Sequence, residues 1–193
     1  HYINAGEEAL KFYCQFAHSN NQNYSWNNSF ENDLDAFVNN QLAIYIGYKA
    51  DKEKIIEKNS NLNFGISEMP QRDKDNIVNF GKFFGFTVSS QSQNKNVAWE
   101  AISLLLAPDN VRTLVENYTM IPANRTLINE YYNDPELSVF VKQALNSKSY
   151  YHPETNQTKN IFVEIIEEAN KNSDYSGAIS KLNQKLTNLM YNN

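Results

Sequence analysis

Residues 36–48 read AFVNNQLAIYIGY, and the spacing of their apolar side chains changes halfway along the stretch. Up to Phe37 the apolar residues recur at helical spacing. From Leu42 to Ile46 they form a continuous run with β-branched and aromatic members, which Gly47 closes. A short apolar run that ends at a glycine is typical of a buried strand. Because the following ADKEKIIEK is again helical in pattern, the stretch predicts one strand between two helices.

Composition limits the classes of protein to which the chain can belong. Its 193 residues are 41% apolar, enough for one domain with a sizeable core. A net charge of −5 argues against a nucleic acid as partner, since phosphate binding needs a basic surface. The longest apolar stretch, AISLLLA, is far shorter than the roughly 20 residues that span a bilayer. A single cysteine, Cys14, excludes an internal disulfide framework and lies on the apolar side of a helical pattern, as a core thiol does.

Helical patterns cover most of the chain. Residues 4–18 place apolar side chains on one wide face, and a helix from about Asp51 has that aspartate available as its cap. Further helices are predicted over 28–40, 94–107, 109–118, 124–132, 135–146, from about 161, and 176–191. We expect the core to contain Phe16, Phe37, Trp99, Leu104 and Leu105.

Strand patterns are few and far apart. They fall at 42–46, at 63–67 before Pro70, and between Phe80 and Val88, where apolar residues alternate with smaller or polar ones. A typical sheet has about five strands. The sequence therefore predicts an α/β fold whose sheet is incomplete without further strands.

The order of these segments resembles the C-terminal half of an extracellular solute-binding protein of the maltose-binding type, the receptor of an ABC importer. No single motif is specific, but the succession follows the family over nearly the whole chain. Two departures are Asn40–Ile44, where the family has a GkaAM-like sequence, and a lone Gly81 in place of a double glycine. The matching segments are Ala9–Tyr13, Trp26, Ala36–Gly47, Phe64–Pro70, Gly81–Ser89, Asn94–Ala107, Ile121–Ala123 and Gly177–Leu186.

The resemblance implies part of a two-lobed, periplasmic-binding-protein-like (type II) fold with a helix-rich C-lobe. Residues 1–46 would belong to the C-lobe and end in a strand that crosses the hinge, which explains the change of pattern in the opening stretch. Residues 47–84 would be an excursion into the N-lobe, and 85–193 would return to the C-lobe. Strands near 42–47 and 63–67 would pair with an N-terminal half of the same protein that precedes residue 1.

The function implied by the resemblance is that of a non-enzymatic receptor outside the cytoplasmic membrane, on the cell surface or in the periplasm. It would be attached through an N-terminal anchor that this chain does not contain. It would close around a small solute, an oligosaccharide or polyol, and deliver it to a membrane permease. No cofactor is expected, and no metal, because His18 and His152 have no partner at ligand spacing.

Four candidate ligand contacts lie in the first quarter of the chain. Trp26 either stacks against a sugar, for which a large flat ring with a polar tip is suited, or packs under its own loop. Tyr45 and Tyr48 flank the glycine of the predicted crossing, Gly47, and each either faces the cleft or packs. Alternation along a strand would place Tyr45 on the same face as Gly47.

The other five candidates lie further along. Gly81 either lets the backbone approach a ligand or makes a turn. Phe83 and Phe84 are expected on opposite faces, with one of them in the core. Asn156 and Thr158, in the segment YYHPETNQTKN, either bond ligand hydroxyls or belong to an ordinary solvated loop.

Two other classes of protein stay open. One is a helical interaction or adhesion domain that has the receptor's fold without transport. The other is a carbohydrate-active enzyme, which needs two carboxylates across a cleft. No such pair is evident in the sequence, since Glu164, Glu167 and Glu168 have the spacing of a solvated helix face. No nucleophile-elbow or phosphate-loop motif is present.

Overall fold

The computed structural model describes residues 2–118, 120–150 and 155–191, and it is mostly helical, with 54% helix and two short parallel strands. The expectation of a helix-rich chain with few strands is confirmed. The chain divides into two compact units, His1–Asn32 with Tyr150–Asn193, and Asp33–Ser149. The predicted hinge crossing at 42–47 and the residues from 85 on, where the chain was predicted to return to the C-lobe, both lie in the second unit as far as Ser149. Within the described residues, no helix is long and apolar enough to cross a membrane.

Nine α-helices and two strands are assigned in the described part of the chain. A 3₁₀ turn at Gln15–Ala17 extends the first helix. The elements are α1 (Tyr2–Cys14), α2 (Asp33–Val38), α3 (Lys49–Lys58), β1 (Asn79–Phe80), α4 (Lys95–Leu105), α5 (Pro108–Asn117), α6 (Arg125–Glu130), α7 (Ser138–Leu145), β2 (Ser147–Lys148), α8 (Thr155–Asn172) and α9 (Tyr175–Tyr191).

The first unit is built on three packed helices, α1, α8 and α9. The buried cluster of these helices combines small side chains, such as Ala169 and Ala178, with larger ones, such as Ile165. Cys14 is fully buried, as predicted, and its burial raises the pKa of the thiol. The buried residues of this cluster are Leu10, Cys14, Ile165, Ala169, Ala178 and Ile179.

In the opening stretch, residues 36–48, helix α2 ends in a way that is typical of an asparagine-rich sequence. Helix α2 stops at Val38, and Asn40 takes a left-handed φ of 59°, a conformation that asparagine tolerates better than most residues. The backbone N–H of Gln41 then donates to the carbonyl of Ala36 at 2.8 Å. Asn39 and Asn40 therefore separate the end of α2 from the apolar run.

The predicted strands at 42–46 and 63–67 are wrong, because neither segment forms a strand in the described residues. Ile44, in the middle of the first segment, is 76% exposed. The apolar run has the composition of a strand, but no described segment pairs with it as a neighbouring strand. The strand pattern from Phe80 is realised only at its start, where β1 pairs in parallel with β2 and Asn79 lies opposite Ser147.

The predicted core around α4 is also wrong. Trp99 is 53% exposed, and Leu104 and Leu105 are exposed as well, while Phe16 and Phe37 are only partly buried. The main neighbour of α4 is the adjacent helix α5, which covers little of its apolar surface. The largest fully buried side chains of the second unit are instead Leu127 and Val141.

Candidate functional site

The nine candidate ligand contacts fall in both units. Trp26, Asn156 and Thr158 belong to the first unit. The other six belong to the second, where they form two local groups. One group surrounds Gly47 at the start of α3, and the other surrounds Gly81 at the end of β1.

Asp51 organises the first group. Its carboxylate accepts a hydrogen bond from the backbone N–H of Tyr48 at 2.8 Å and another from Lys54 Nζ at 2.8 Å. Tyr48 is the N-cap of α3, so Asp51 occupies the third helical position rather than the cap predicted for it. A carboxylate at this position that binds the N-cap N–H fixes the entry of the chain into the helix.

Gly47 lies beneath the side chain of Tyr45. A Cβ added at Gly47 would come within 2.4 Å of Tyr45 Cε1 and 2.8 Å of Asp51 Oδ2. The Tyr45 ring also lies 5.8 Å from the Phe37 ring, so it is packed rather than open. Tyr48 is 51% exposed and is therefore the aromatic side chain of this group that an external ligand can reach.

The ionisation of this group follows from its burial and charges. Burial of the phenol, followed by the negative charges of Asp51 and Asp33, raises the pKa of Tyr45 to about 12. Burial alone would raise the pKa of Asp51. Hydrogen bonds from Lys54 and from the Tyr48 backbone outweigh that effect and lower the pKa of Asp51 below its usual value.

The lowered pKa of Asp51 makes stability depend on pH. The ionised carboxylate stabilises the fold fully above its unfolded pKa of about 3.9, and the contribution is lost as the pH falls through the folded pKa. We expect Asp51→Asn to lower the free energy of unfolding at pH 7, with a difference that shrinks as the pH falls below about 4. Urea denaturation of both proteins at a series of pH values measures this difference in the free energy of unfolding.

Glu53→Gln on the same helix is the control for this prediction, because its side chain is 61% exposed whereas that of Asp51 is 14% exposed. Its effect is expected to be small at every pH. A difference for Asp51→Asn that stays constant from neutral to acidic pH would show that the carboxylate contributes through its shape and not through its charge.

The second group surrounds Gly81. The Gly81 N–H donates to the carbonyl of Lys148 at 2.9 Å, which continues the pairing of β1 with β2. A Cβ at Gly81 would come within 2.8 Å of both Ser147 Cβ and Phe83 Cζ. The glycine therefore permits the close approach of two backbone segments. The expectation that Phe83 or Phe84 is in the core is wrong, since both are exposed.

The predicted loop before α8 is partly wrong. Residues 151–154, with His152, lie outside the described residues, but the helix begins at Thr155 rather than near 161. Asn156 is exposed in the first turn of this helix. Thr158 is 2% exposed, so its side chain is part of the packed interior and is not accessible to a ligand in this arrangement.

Trp26 lies in the loop between α1 and α2 and is partly exposed. Its indole stacks on the ring of Phe30, with centroids 4.5 Å apart and planes inclined by 24°. Sequence patterns single out neither Phe30 as a partner of Trp26 nor Asp51 as an organiser of the Gly47 group. The second could have been found from the spacing of Tyr48 and Asp51, which is that of an N-cap and its third helical residue.

A separate surface depression lies in the first unit. Its lining is polar, and the buried Nε2 atom of His18 has no hydrogen-bond partner among the described residues. None of the nine candidate residues lines it. The lining residues are His18, Ser19, Asn20, Asn21, Ser173 and Tyr175.

Within the described residues, no group of three or more His, Cys, Asp or Glu side chains is placed to hold a metal ion. The sequence matches no protein-family model, and it matches no curated protein.

Proposed function

We propose that the chain is part of a non-enzymatic, extracytoplasmic solute receptor that binds an oligosaccharide or polyol and delivers it to an ABC-type permease. The observation that carries the proposal is the corner at Gly47. It lies where the resemblance places a hinge crossing, and there Asp51 fixes the backbone beside the half-exposed ring of Tyr48. A rigid backbone that presents an aromatic face is suited to stacking against a sugar ring.

The two-lobed form of the proposal is supported by exposed apolar side chains in the second unit. Ile44 and Ile46 precede the Gly47 corner, Ile66 lies in the other segment predicted as a strand, 63–67, and Met69 follows that segment. Exposed apolar patches are typical of surfaces that another part of a protein covers. A second lobe would cover these side chains.

The alternative of an interaction or adhesion domain is favoured by one observation, the exposed apolar surface of α4 around Trp99 and Leu104. Such a surface fits a protein partner as well as it fits a second lobe. No contact or pKa shift in the described residues favours the enzyme alternative.

Isothermal titration calorimetry against a panel of oligosaccharides and polyols, with an assay for hydrolysed product, tests the proposal. Binding without turnover is the expected result. Tyr48→Ala is expected to weaken binding about tenfold, since a stacked aromatic contributes on the order of 1 kcal/mol beyond the area that it buries. Tyr13→Ala is the matched control, because Tyr13 is an exposed tyrosine on α1 in the first unit.

Two outcomes would contradict the receptor, and a third would contradict the location of its ligand site. Neither binding nor turnover would favour the interaction domain, and turnover of a bound sugar would favour the enzyme. Equal losses of affinity in the Tyr48→Ala and Tyr13→Ala variants would show that the Gly47 corner is not part of the ligand site.

A further inference from the structure

We infer that the loop 24–30 is a self-contained platform for stacking carbohydrate, in which Phe30 is the positioning residue of Trp26. This inference rests on the proposed function for the class of ligand, and it adds a residue that no sequence pattern indicated. The Phe30 ring contacts two aromatic side chains, stacking on Trp26 and lying 6.4 Å from Tyr24 at an inclination of 40°.

Backbone hydrogen bonds anchor the start of the loop to the end of the first helix. The N–H groups of Ser25 and Trp26 both donate to the carbonyl of Phe16, at 2.9 Å and 3.2 Å. The backbone of Trp26 is therefore tied to the 3₁₀ turn that follows α1. Loop residues held in this way lose little further freedom when a ligand binds, which favours affinity.

Asn27 folds the rest of the loop back toward the indole. Its side-chain oxygen accepts from the N–H of Ser29 at 2.9 Å and from the Ser29 hydroxyl at 2.6 Å. Its carbonyl accepts from the N–H of Phe30 at 3.1 Å, and its amide donates to the Tyr24 hydroxyl at 3.2 Å. This turn brings the Phe30 ring over the indole and cross-links Tyr24 to the same structure.

The stack determines which side of the indole is available to a ligand. Phe30 covers one face of the indole and Trp26 stays partly exposed, so the face opposite Phe30 is the one on which we expect a sugar ring to stack. An indole without a stacked partner is free to rotate and loses more side-chain entropy when a ligand orders it. Phe30 thus acts on affinity through the orientation of Trp26.

Trp99 supplies an internal control. It is also exposed, but among the described residues it has no ring partner, and it lies on α4 in the second unit. The chain has two tryptophans, so each indole N–H gives its own nuclear magnetic resonance signal in one spectrum.

The test is a titration of the ¹⁵N-labelled chain with maltotriose in the millimolar range. We expect the Trp26 indole signal to shift to saturation and the Trp99 signal to stay in place. Phe30→Leu, which keeps an apolar side chain but removes the ring, is expected to weaken this binding about three- to tenfold. Phe30→Tyr keeps the ring and is expected to retain the affinity. Phe86→Leu, an exposed phenylalanine of the second unit, is the matched control.

Several results would overturn the inference: no saturable shift of Trp26, equal shifts of both tryptophans, or an unchanged affinity in Phe30→Leu. The dispersion of the backbone amide signals in the same ¹⁵N spectra shows whether each variant is folded, and failure of Phe30→Tyr to retain affinity would likewise contradict the positioning role. If calorimetry detects carbohydrate binding while the Trp26 indole signal does not shift, the inference fails and the proposed function stands. If calorimetry detects no carbohydrate binding, the proposed function fails separately.

Discussion

Ile165→Ala is expected to lower the free energy of unfolding by about 2–5 kcal/mol, the range for truncation of a large aliphatic side chain in a core. Ile165 is 1% exposed and belongs to the cluster that joins α1, α8 and α9. The same cluster holds the large side chains of Leu10 and Ile179 and small residues such as Ala169 and Cys14, and the small ones cannot extend into the space left behind. The cavity term therefore adds to the lost burial of the side chain.

Urea denaturation followed by circular dichroism at 222 nm, a wavelength at which helices absorb, measures this loss. Val163→Ala is the matched control, because Val163 lies two residues away on the same helix and is exposed. Its effect is expected to stay within about 0.5 kcal/mol. Equal effects of the two substitutions would show that α8 does not present Ile165 to α1 and α9.

The helices of the first unit were largely predictable from the sequence, but their packing against one another was not. The apolar face of residues 4–18 and the buried position of Cys14 follow from helical periodicity, which is a local property of the chain. The start of α8 was missed because its first residues, TNQTKN, are polar and resemble a loop. Burial of Thr158 within that first part depends on tertiary packing, which periodicity does not report.

The second unit was harder to predict because its patterns depend on distant partners. The apolar run at 42–46 has the composition of a strand, but a strand also needs a neighbour that can be anywhere in the sequence. The parallel pairing of β1 with β2 joins residues 68 positions apart, as in Asn79 and Ser147. The prediction that α4 is buried failed for the same reason. Its amphipathic pattern does not show which surface, if any, covers the apolar face.

The features of the candidate site also differ in whether a local sequence signal predicts them. The spacing of Tyr48 and Asp51 is a local signal, and the left-handed Asn40 that ends α2 is another. The stack of Phe30 on Trp26 depends on a turn built by the side chain of Asn27, and several turn types are compatible with that sequence. The roles of Gly47 and Gly81 emerge only from the neighbours that surround them.

Gly47→Ala is expected to lower the free energy of unfolding by about 1–3 kcal/mol, as insertion of a methyl group into a filled space does. The new Cβ would lie 2.4 Å from Tyr45 Cε1 and 2.8 Å from Asp51 Oδ2. Neither group moves freely, since the Tyr45 ring packs on Phe37 and Asp51 holds the Tyr48 N–H. Urea denaturation of the variant measures the effect.

Gly65→Ala is the control for this effect, because a Cβ at Gly65 meets nothing within 4 Å and no glycine of the chain has a left-handed φ. Its change is expected to lie within about 0.5 kcal/mol, since it is a surface substitution away from special features. A double-mutant cycle separates the steric cause from any effect on the backbone. In a Tyr45→Ala background the ring is gone, so Gly47→Ala should then lower stability much less. An equal loss in both backgrounds, or an equal loss for Gly47→Ala and Gly65→Ala, would show that Tyr45 does not determine the need for glycine at this corner.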